Sequence, residues 1–347
     1  MSSQFRPTRP EDAGAVSQFM QRVFGMKPGN PSLALPQMHW KYWREHPEWE
    51  GSRGYALERD GQIVAHGSVV PLTCAWDGRR LKMVDLIDWA ALPGNPGAGI
   101  SLLKNVSKRV DGVFIAGGTQ MAQKVFQSLG FRECAPAAFY ALPLRPFARL
   151  LQDQGPMWKR AARLARNFLW KADSLGFVKG GWNARRLAAD DVVRQQFPLP
   201  RGRAQAAIFE RSAAGIAFLL DCPQSPAEFY LVEKDNSVAG YFVLTRALAQ
   251  CRIAEAWVEP GLPEDWQTLY QLAIQRASQR RELHEIVAVV TNDAAAREGL
   301  RRCGFRPRGQ TPLRFSISGG SYPTDIRYQM VDNDNAWLHD GETPYWT

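Results

Sequence analysis

Residues 85–101 read DLIDWAALPGNPGAGIS, and residues 112–131 read GVFIAGGTQMAQKVFQSLGF. With Val84 just before it, the first stretch sets Leu86, Ile87, Trp89, Ala90, Ala91 and Leu92 in an apolar strand, residues 93–99 in a proline-led glycine loop, and a helix begins near Ile100. The second stretch continues with a strand over 112–117 and a helix over 120–129 that closes on Gly130 and Phe131. A glycine loop that feeds straight into a helix turns several backbone N–H groups and the positive end of the helix dipole toward one point, which suits a phosphate or pyrophosphate.

Working outward, the chain repeats this order. Around Tyr55 apolar and polar residues alternate about an Asp60-Gly61 turn, and around Tyr230 they alternate about Asp235-Asn236, both pairs suited to positive φ. Each hairpin is followed by a strand ending in proline (Pro93, Pro260), a long helix, a strand, and a helix closing on Gly-Phe (Gly130-Phe131, Gly304-Phe305). Setting Pro93 against Pro260 places Asp88 on Glu255. The shared order reads as a duplicated unit. Each copy runs entry helix, antiparallel hairpin, strand, helix, strand, helix and final strand, an α+β arrangement with helices flanking a mixed, mostly antiparallel sheet.

Composition agrees with two such units. The 347 residues are 45% apolar, enough for a large core, and the length favours two domains. No apolar run reaches the roughly 18 residues of a spanning helix, and residues 1–7 lack the apolar stretch of a signal peptide, so a cytoplasmic protein is expected. Cys74, Cys134, Cys222, Cys251 and Cys303 are widely spaced and never form Cys-x-x-Cys, and the five histidines show no ligand spacing; reduced thiols and no metal site are expected. The formal charge of +9 is concentrated: residues 145–186 hold ten Lys or Arg against Asp153 and Asp173, a local +8. Nucleic acid is therefore an unlikely partner for the chain as a whole.

With these residues in view, the chain resembles the Gcn5-related N-acetyltransferase (GNAT) superfamily in a tandem arrangement, over roughly residues 4–143 and 183–330. The family's acyl-CoA loop, Gln/Arg-x-x-Gly-x-Gly/Ala, falls on Pro96-Gly97-Ala98-Gly99-Ile100-Ser101, with Gly99 as the first required glycine, Ser101 as the small last residue and Pro96 where Gln or Arg is usual. The later pattern Asn-x-x-Ala-x-x-x-Tyr-x-x-x-Gly-Phe falls on Thr119, Ala122, Phe126, Gly130 and Phe131. The second copy keeps the frame and loses the loop: Gly261-Leu262-Pro263-Glu264-Asp265 puts two carboxylates at the helix entry, and Leu300 stands at the tyrosine position. Those carboxylates satisfy a helix N-terminus and repel a pyrophosphate.

The resemblance implies two GNAT-like domains, an acyl-CoA-binding one over 1–144 and a degenerate one over 183–330, joined by a basic helical connector over 145–182 and followed by an acidic, aromatic tail over 331–347. It implies an acyltransferase that moves an acetyl or other acyl group from acyl-CoA to a primary amine by direct attack in a ternary complex, the amine being a small molecule or a cell-envelope precursor. Main-chain groups of Trp89, Ala90 and Ala91 would polarise the thioester, residues 96–101 would hold the pyrophosphate, and Phe126 would line the pantetheine channel. Asp85 lies where related enzymes carry a carboxylate base and Asp88 lies nearer the loop; three apart on a strand, they face opposite sides unless a bulge intervenes. Trp40, Tyr42 and Trp43 fall in the substrate-helix segment, and His66 and Glu255 are further substrate-side candidates. Each also has a plain reading as packing.

The connector is amphipathic over 157–171, separating Met157, Trp158, Ala161, Ala162, Leu164, Ala165, Phe168 and Leu169 from Lys159, Arg160, Arg163, Arg166, Asn167 and Lys171. Its basic face fits anionic lipid headgroups, an acidic acyl carrier protein or nucleic acid, or the helix simply bridges and packs on its own domains with a solvated cationic face; a membrane-peripheral location follows from the first. Two alternatives to CoA-dependent transfer stand beside the main reading: transfer from acyl carrier protein or aminoacyl-tRNA docked on the connector, and a non-catalytic binding or scaffold protein that kept the fold. The tail suggests docking or partial disorder.

Overall fold

The computed structural model describes residues 3–148, 156–172, 178–200, 206–318 and 322–347. The first half runs β1 (Gln4–Pro7), α1 (Ala13–Phe24), α2 (Leu35–Met38), β2 (Gly54–Arg59), β3 (Gln62–Trp76), β4 (Arg79–Ala91), α3 (Ala98–Ser107), β5 (Gly112–Ala116), α4 (Gln120–Ser128) and β6 (Arg132–Pro143). After α5 (Met157–Ala172) the second half runs β7 (Trp182–Leu187), α6 (Ala189–Arg194), β8 (Ala207–Glu210), α7 (Ala213–Leu220), β9 (Ala227–Lys234), β10 (Ser237–Ala247), β11 (Gln250–Val258), α8 (Pro263–Ser278), β12 (Glu285–Val290), α9 (Ala294–Arg302), β13 (Arg306–Ile317) and β14 (Ile326–Arg327).

Both expected hairpin turns form, with Asp60, Gly61, Asp235 and Asn236 all at positive φ, the geometry that matches the twist of the flanking strands. Sequence reading missed a third: Asp77 and Gly78 also take positive φ and join a β3 that runs on to Trp76 to a β4 that begins at Arg79.

The strands form one sheet ordered β1-β2-β3-β4-β5-β13-β6-β12-β11-β10-β9-β7, with β8 and β14 off this path. Exchanging each strand for its counterpart in the other half (β1 for β7, β2 for β9, β3 for β10, β4 for β11, β5 for β12, β6 for β13) reproduces the order reversed. The pseudo-twofold axis thus passes between β6 and β13. The final strands are exchanged: β13 lies between β5 and β6, and β6 lies between β13 and β12. Where two self-contained sheets were expected, the halves share one.

Helices cover both faces. Leu102, Leu103 and Val106 of α3 pack with Phe126 and Phe131 on one face, and Val16, Phe19 and Met20 of α1 pack with Met38 and Tyr42 on the other. Residues 328–337 are threaded into the interior, where Tyr328, Met330, Asp332 and Ala336 are buried, so this part of the tail is docked. All five cysteines are buried and unpaired. Among the described residues no helix is long and apolar enough to cross a membrane.

Candidate active site

β4 pairs in parallel with β5 only through Met83, Val84 and Asp85, after which the two strands part. Residues 83–87 are buried and residues 88–91 half-buried, so the edge of β4 opens where β5 departs. The loop 92–97 then turns into α3. Gly97, at φ 77, is its N-cap and offers no side chain, and only Ala98 and Ser101 of the first turn have main-chain acceptors, Asn95 and Gly97. Other helices fill this position: Thr119 caps α4, Ser212 caps α7 and Asp293 caps α9. At α8, Asp265 accepts from the main chain of Leu262 at 3.1 Å. The α3 entry is left with free N–H groups and an exposed approach.

The Trp89 indole leans over this entry, donating from Nε1 to the Gly99 carbonyl at 2.9 Å and packing against Phe126 of α4 with ring centroids 4.9 Å apart and planes tilted by 34°. A Cβ at Gly99 would meet the indole at 3.3 Å, so glycine permits this approach. Trp89, Gly99 and Phe126 are thus brought together, with residues 96–98 beside them.

A bulge does intervene between Asp85 and Asp88. His66 pairs with Ala90 and Ser68 with Ile87, so Asp88 and Trp89 together oppose Gly67, and Asp88 sits at φ 53. Both aspartates consequently reach one buried polar cluster. The Lys41 Nζ lies 2.7 Å from Asp88 Oδ2, and Tyr42 Oη and Ser68 Oγ donate to the same oxygen at 2.7 and 3.0 Å. Burial opposes ionisation of Asp88, but the Lys41 charge and these hydrogen bonds outweigh it and hold the carboxyl below its usual range. Asp85 accepts from the Asn333 side chain and, at 3.3 Å, from the Ala116 N–H; burial first, then Asp334 and Asp332, push it well above the carboxylate range against the Asn333 bond. Burial and these acidic neighbours thus favour its neutral form.

Lys41 owes its direction to a turn of π-helix over His39–Trp43, which continues α2 and lets the buried Arg53 gather the carbonyls of Trp40, Lys41 and Arg44. The same turn sends neighbouring aromatics to different places. Tyr42 joins the cluster. Trp40 packs against Phe218 and Trp337 between the halves. Trp43 donates to Thr8 at 3.1 Å and lines an outer cleft of about 790 Å³ with Glu48 and Trp49, away from Asp88. His66 is fully buried against Phe19 and Tyr42; burial lowers it to about 4 against the pull of Asp88, so it stays neutral.

The threaded segment brings the carboxylates that sequence reading passed over. Burial raises Asp334 to about 6, opposed by Lys41, whose Nζ lies 4.0 Å away, and reinforced by Asp88. Burial raises Asp332 to about 7 despite its pairing with Arg211, whose Nε also meets Glu255 at 2.6 Å. Glu255 and Trp40 line a cavity of about 80 Å³ between the halves, together with Glu48, Arg211, Val70 and Trp337. The Asp-Asn-Asp-Asn run at 332–335 was the available signal: four short polar residues between apolar ones are costly to bury without partners.

The second half has the same parting of strands, since β11 pairs with β12 only from Gln250 to Ile253, and there Arg327 enters the gap beside a cavity of about 320 Å³ that it lines with Trp257 and Asp293. The Arg327 guanidinium lies 4.4 Å over the Trp257 ring and 4.8 Å over Trp266, pairs with Asp293 at 2.7 Å and donates to the Ala256 carbonyl at 3.3 Å. Arginine and an acid-capped α8 leave no entry resembling that of α3.

No family model matches the chain, and no curated protein matches it by sequence. Solved structures match its fold. A GCN5-related N-acetyltransferase from Anabaena variabilis superposes with a TM-score of 0.60 at 13% identity, covering 92% of this chain and 73% of that one. A tandem GNAT protein from the clavulanic acid biosynthesis pathway gives 0.55 at 13% identity, covering 92% and 100%. An N-myristoyltransferase from Saccharomyces cerevisiae with bound myristoyl-CoA gives 0.57 at 12% identity, covering 95% and 83%. The fold is that of GNAT proteins in tandem.

Proposed function

We propose, from this tandem GNAT fold, that the protein is an acyltransferase that takes the acyl group of an acyl-CoA, acetyl-CoA being the simplest, in its first half and delivers it to a primary amine. The observation that carries the reading is the meeting of an uncapped α3 N-terminus with the free edge of β4, a combination present in the first half, whereas in the second Arg327 stands in the gap and Asp265 caps α8. Free N–H groups at Gly97, Gly99 and Ile100 suit the pyrophosphate, and main-chain groups at Trp89, Ala90 and Ala91 suit the pantetheine and the thioester carbonyl. Pro96 supplies no side-chain contact, and Phe126 with Trp89 walls the channel.

The amine attacks the thioester carbonyl directly and CoA leaves as its thiol. Asp88 is engaged by three partners and positions Lys41. Asp334, raised to about 6, is the carboxylate suited to take the amine's proton near neutral pH. Glu48, Glu255, Trp40 and Trp337 give the cavity between the halves an acidic and aromatic lining fit for an ammonium-bearing acceptor. The second half, over about residues 183–330, shapes that acceptor side.

Calorimetric titration with acetyl-CoA tests the first claim. Wild-type protein should bind, and Pro96→Glu, an exposed change that sets a carboxylate beside the α3 entry, should weaken binding at least about tenfold. No binding by a folded wild-type protein would overturn the reading. It would favour a binding protein that kept the fold, for which the Trp89–Phe126 contact across the channel is the supporting feature.

A further inference from the structure

Helix α5 is packed inside out. Asn167 and Trp170 are buried, and Arg160, Arg163, Leu164 and Lys171 are half-buried, while Met157, Trp158 and Leu169 are 71%, 69% and 73% exposed. The inward side is anchored by the Trp170 indole, which donates to the Gly304 carbonyl at 2.6 Å with Arg308 lying over its ring. At about 100° per residue, Met157, Trp158, Ala161, Ala162, Ala165, Phe168 and Leu169 form one continuous outward stripe roughly 140° wide. Phe147, also exposed, extends it by an edge contact to Phe168 at 4.6 Å.

Charge decides what such a stripe meets. Lys159, Arg163 and Arg166 follow it along one border and Arg160 and Lys171 along the other, and the helix contains no Asp or Glu. Two copies facing each other would bring these cationic borders together, so self-association is disfavoured. An apolar strip with tryptophan and phenylalanine, edged on both sides by long basic side chains, matches the boundary of an anionic bilayer, where rings and aliphatic groups enter the acyl region and the cations stay at the phosphates. We infer that α5, with Phe147, is a surface on which the protein docks to anionic lipid membranes, lying in the interface and not crossing it. This inference is independent of acyl transfer.

The test is flotation of the full chain with phosphatidylcholine vesicles containing about 30% phosphatidylglycerol, beside vesicles of phosphatidylcholine alone. The protein should float with the anionic vesicles, be released as salt is raised, and bind neutral vesicles at least about tenfold more weakly. Trp158→Ser with Leu169→Ser should abolish flotation with an unchanged melting temperature, since both side chains are exposed. Lys159→Gln should weaken it roughly fivefold. Absence of flotation at low salt, or flotation indifferent to the double substitution, overturns the inference. So does a dimer in sedimentation that the double substitution dissociates, or capture by an acidic acyl carrier protein without binding to vesicles.

Discussion

The ammonium of Lys41 sits 2.7 Å from Asp88 Oδ2 with both side chains less than a tenth exposed, which ties the π-turn after α2 to the bulge in β4. Removing one partner strands a buried charge. Lys41→Met should therefore destabilise the protein by about 3–5 kcal/mol in urea unfolding. Lys41→Met combined with Asp88→Asn should recover most of that loss, because asparagine also tolerates the positive φ at the bulge. A double variant no more stable than the single one would show that the pair does not act as a unit.

Asp334 links stability to acidity in the opposite sense from a surface ion pair. Its folded pKa, about 6, lies above the ordinary 3.8, so the folded state holds a proton that the unfolded state has lost between these values, and stability falls as pH rises through this window. The difference amounts to about 3 kcal/mol at most. Asp334→Asn should flatten the pH dependence of unfolding between about 4 and 6 and make the protein more stable at pH 8. On the proposed mechanism the same change lowers kcat and removes a rise in rate centred near pH 6. Gain of stability with undiminished rate would deny Asp334 its part in proton transfer.

The α3 entry should respond to the side chain that its loop lacks. Pro96→Arg places a guanidinium where free N–H groups already converge, and acetyl-CoA affinity should rise several-fold, more at low than at high salt. Asp265→Ala in α8 should instead cost about 1 kcal/mol of stability through loss of the cap and leave CoA affinity unchanged. If both substitutions altered CoA affinity equally, the two halves would not differ as described.

Arg327 fills the second gap by stacking on two indoles and pairing with Asp293. Arg327→Ala should lower stability by about 2–4 kcal/mol, since the carboxylate and both rings lose their partner. Arg327→Lys should restore only part of it, because an ammonium lacks the planar fork. Full rescue by lysine in thermal unfolding would contradict the stacking argument.

Much of the fold was legible because it is written locally. Asp60-Gly61 and Asp235-Asn236 demand positive φ, and the loop over 93–99 leads into a helix that begins at Ala98, two residues before the expected start. What escaped was set at long range. The bulge that turns Asp85 and Asp88 to one side depends on a cross-strand register that no spacing in β4 reveals. The inward course of Lys41 depends on the π-turn after α2, and Asp332 and Asp334 read as an acidic tail until a second half exists to bury them. The sequence of α5 is plainly amphipathic, yet which side meets the body depends on where Trp170 anchors.

The exchange of β6 and β13 also bears on ancestry. A lone ancestral half would have needed a strand of its own, or a twin, at the place where β13 now lies between β5 and β6. Once the fused copies traded those strands, neither could be shed or borrowed by another gene without leaving a raw edge of unpaired amides. On the proposed function, the first half can keep a binding entry while the second drifts, because the shared sheet holds the drifting copy in place.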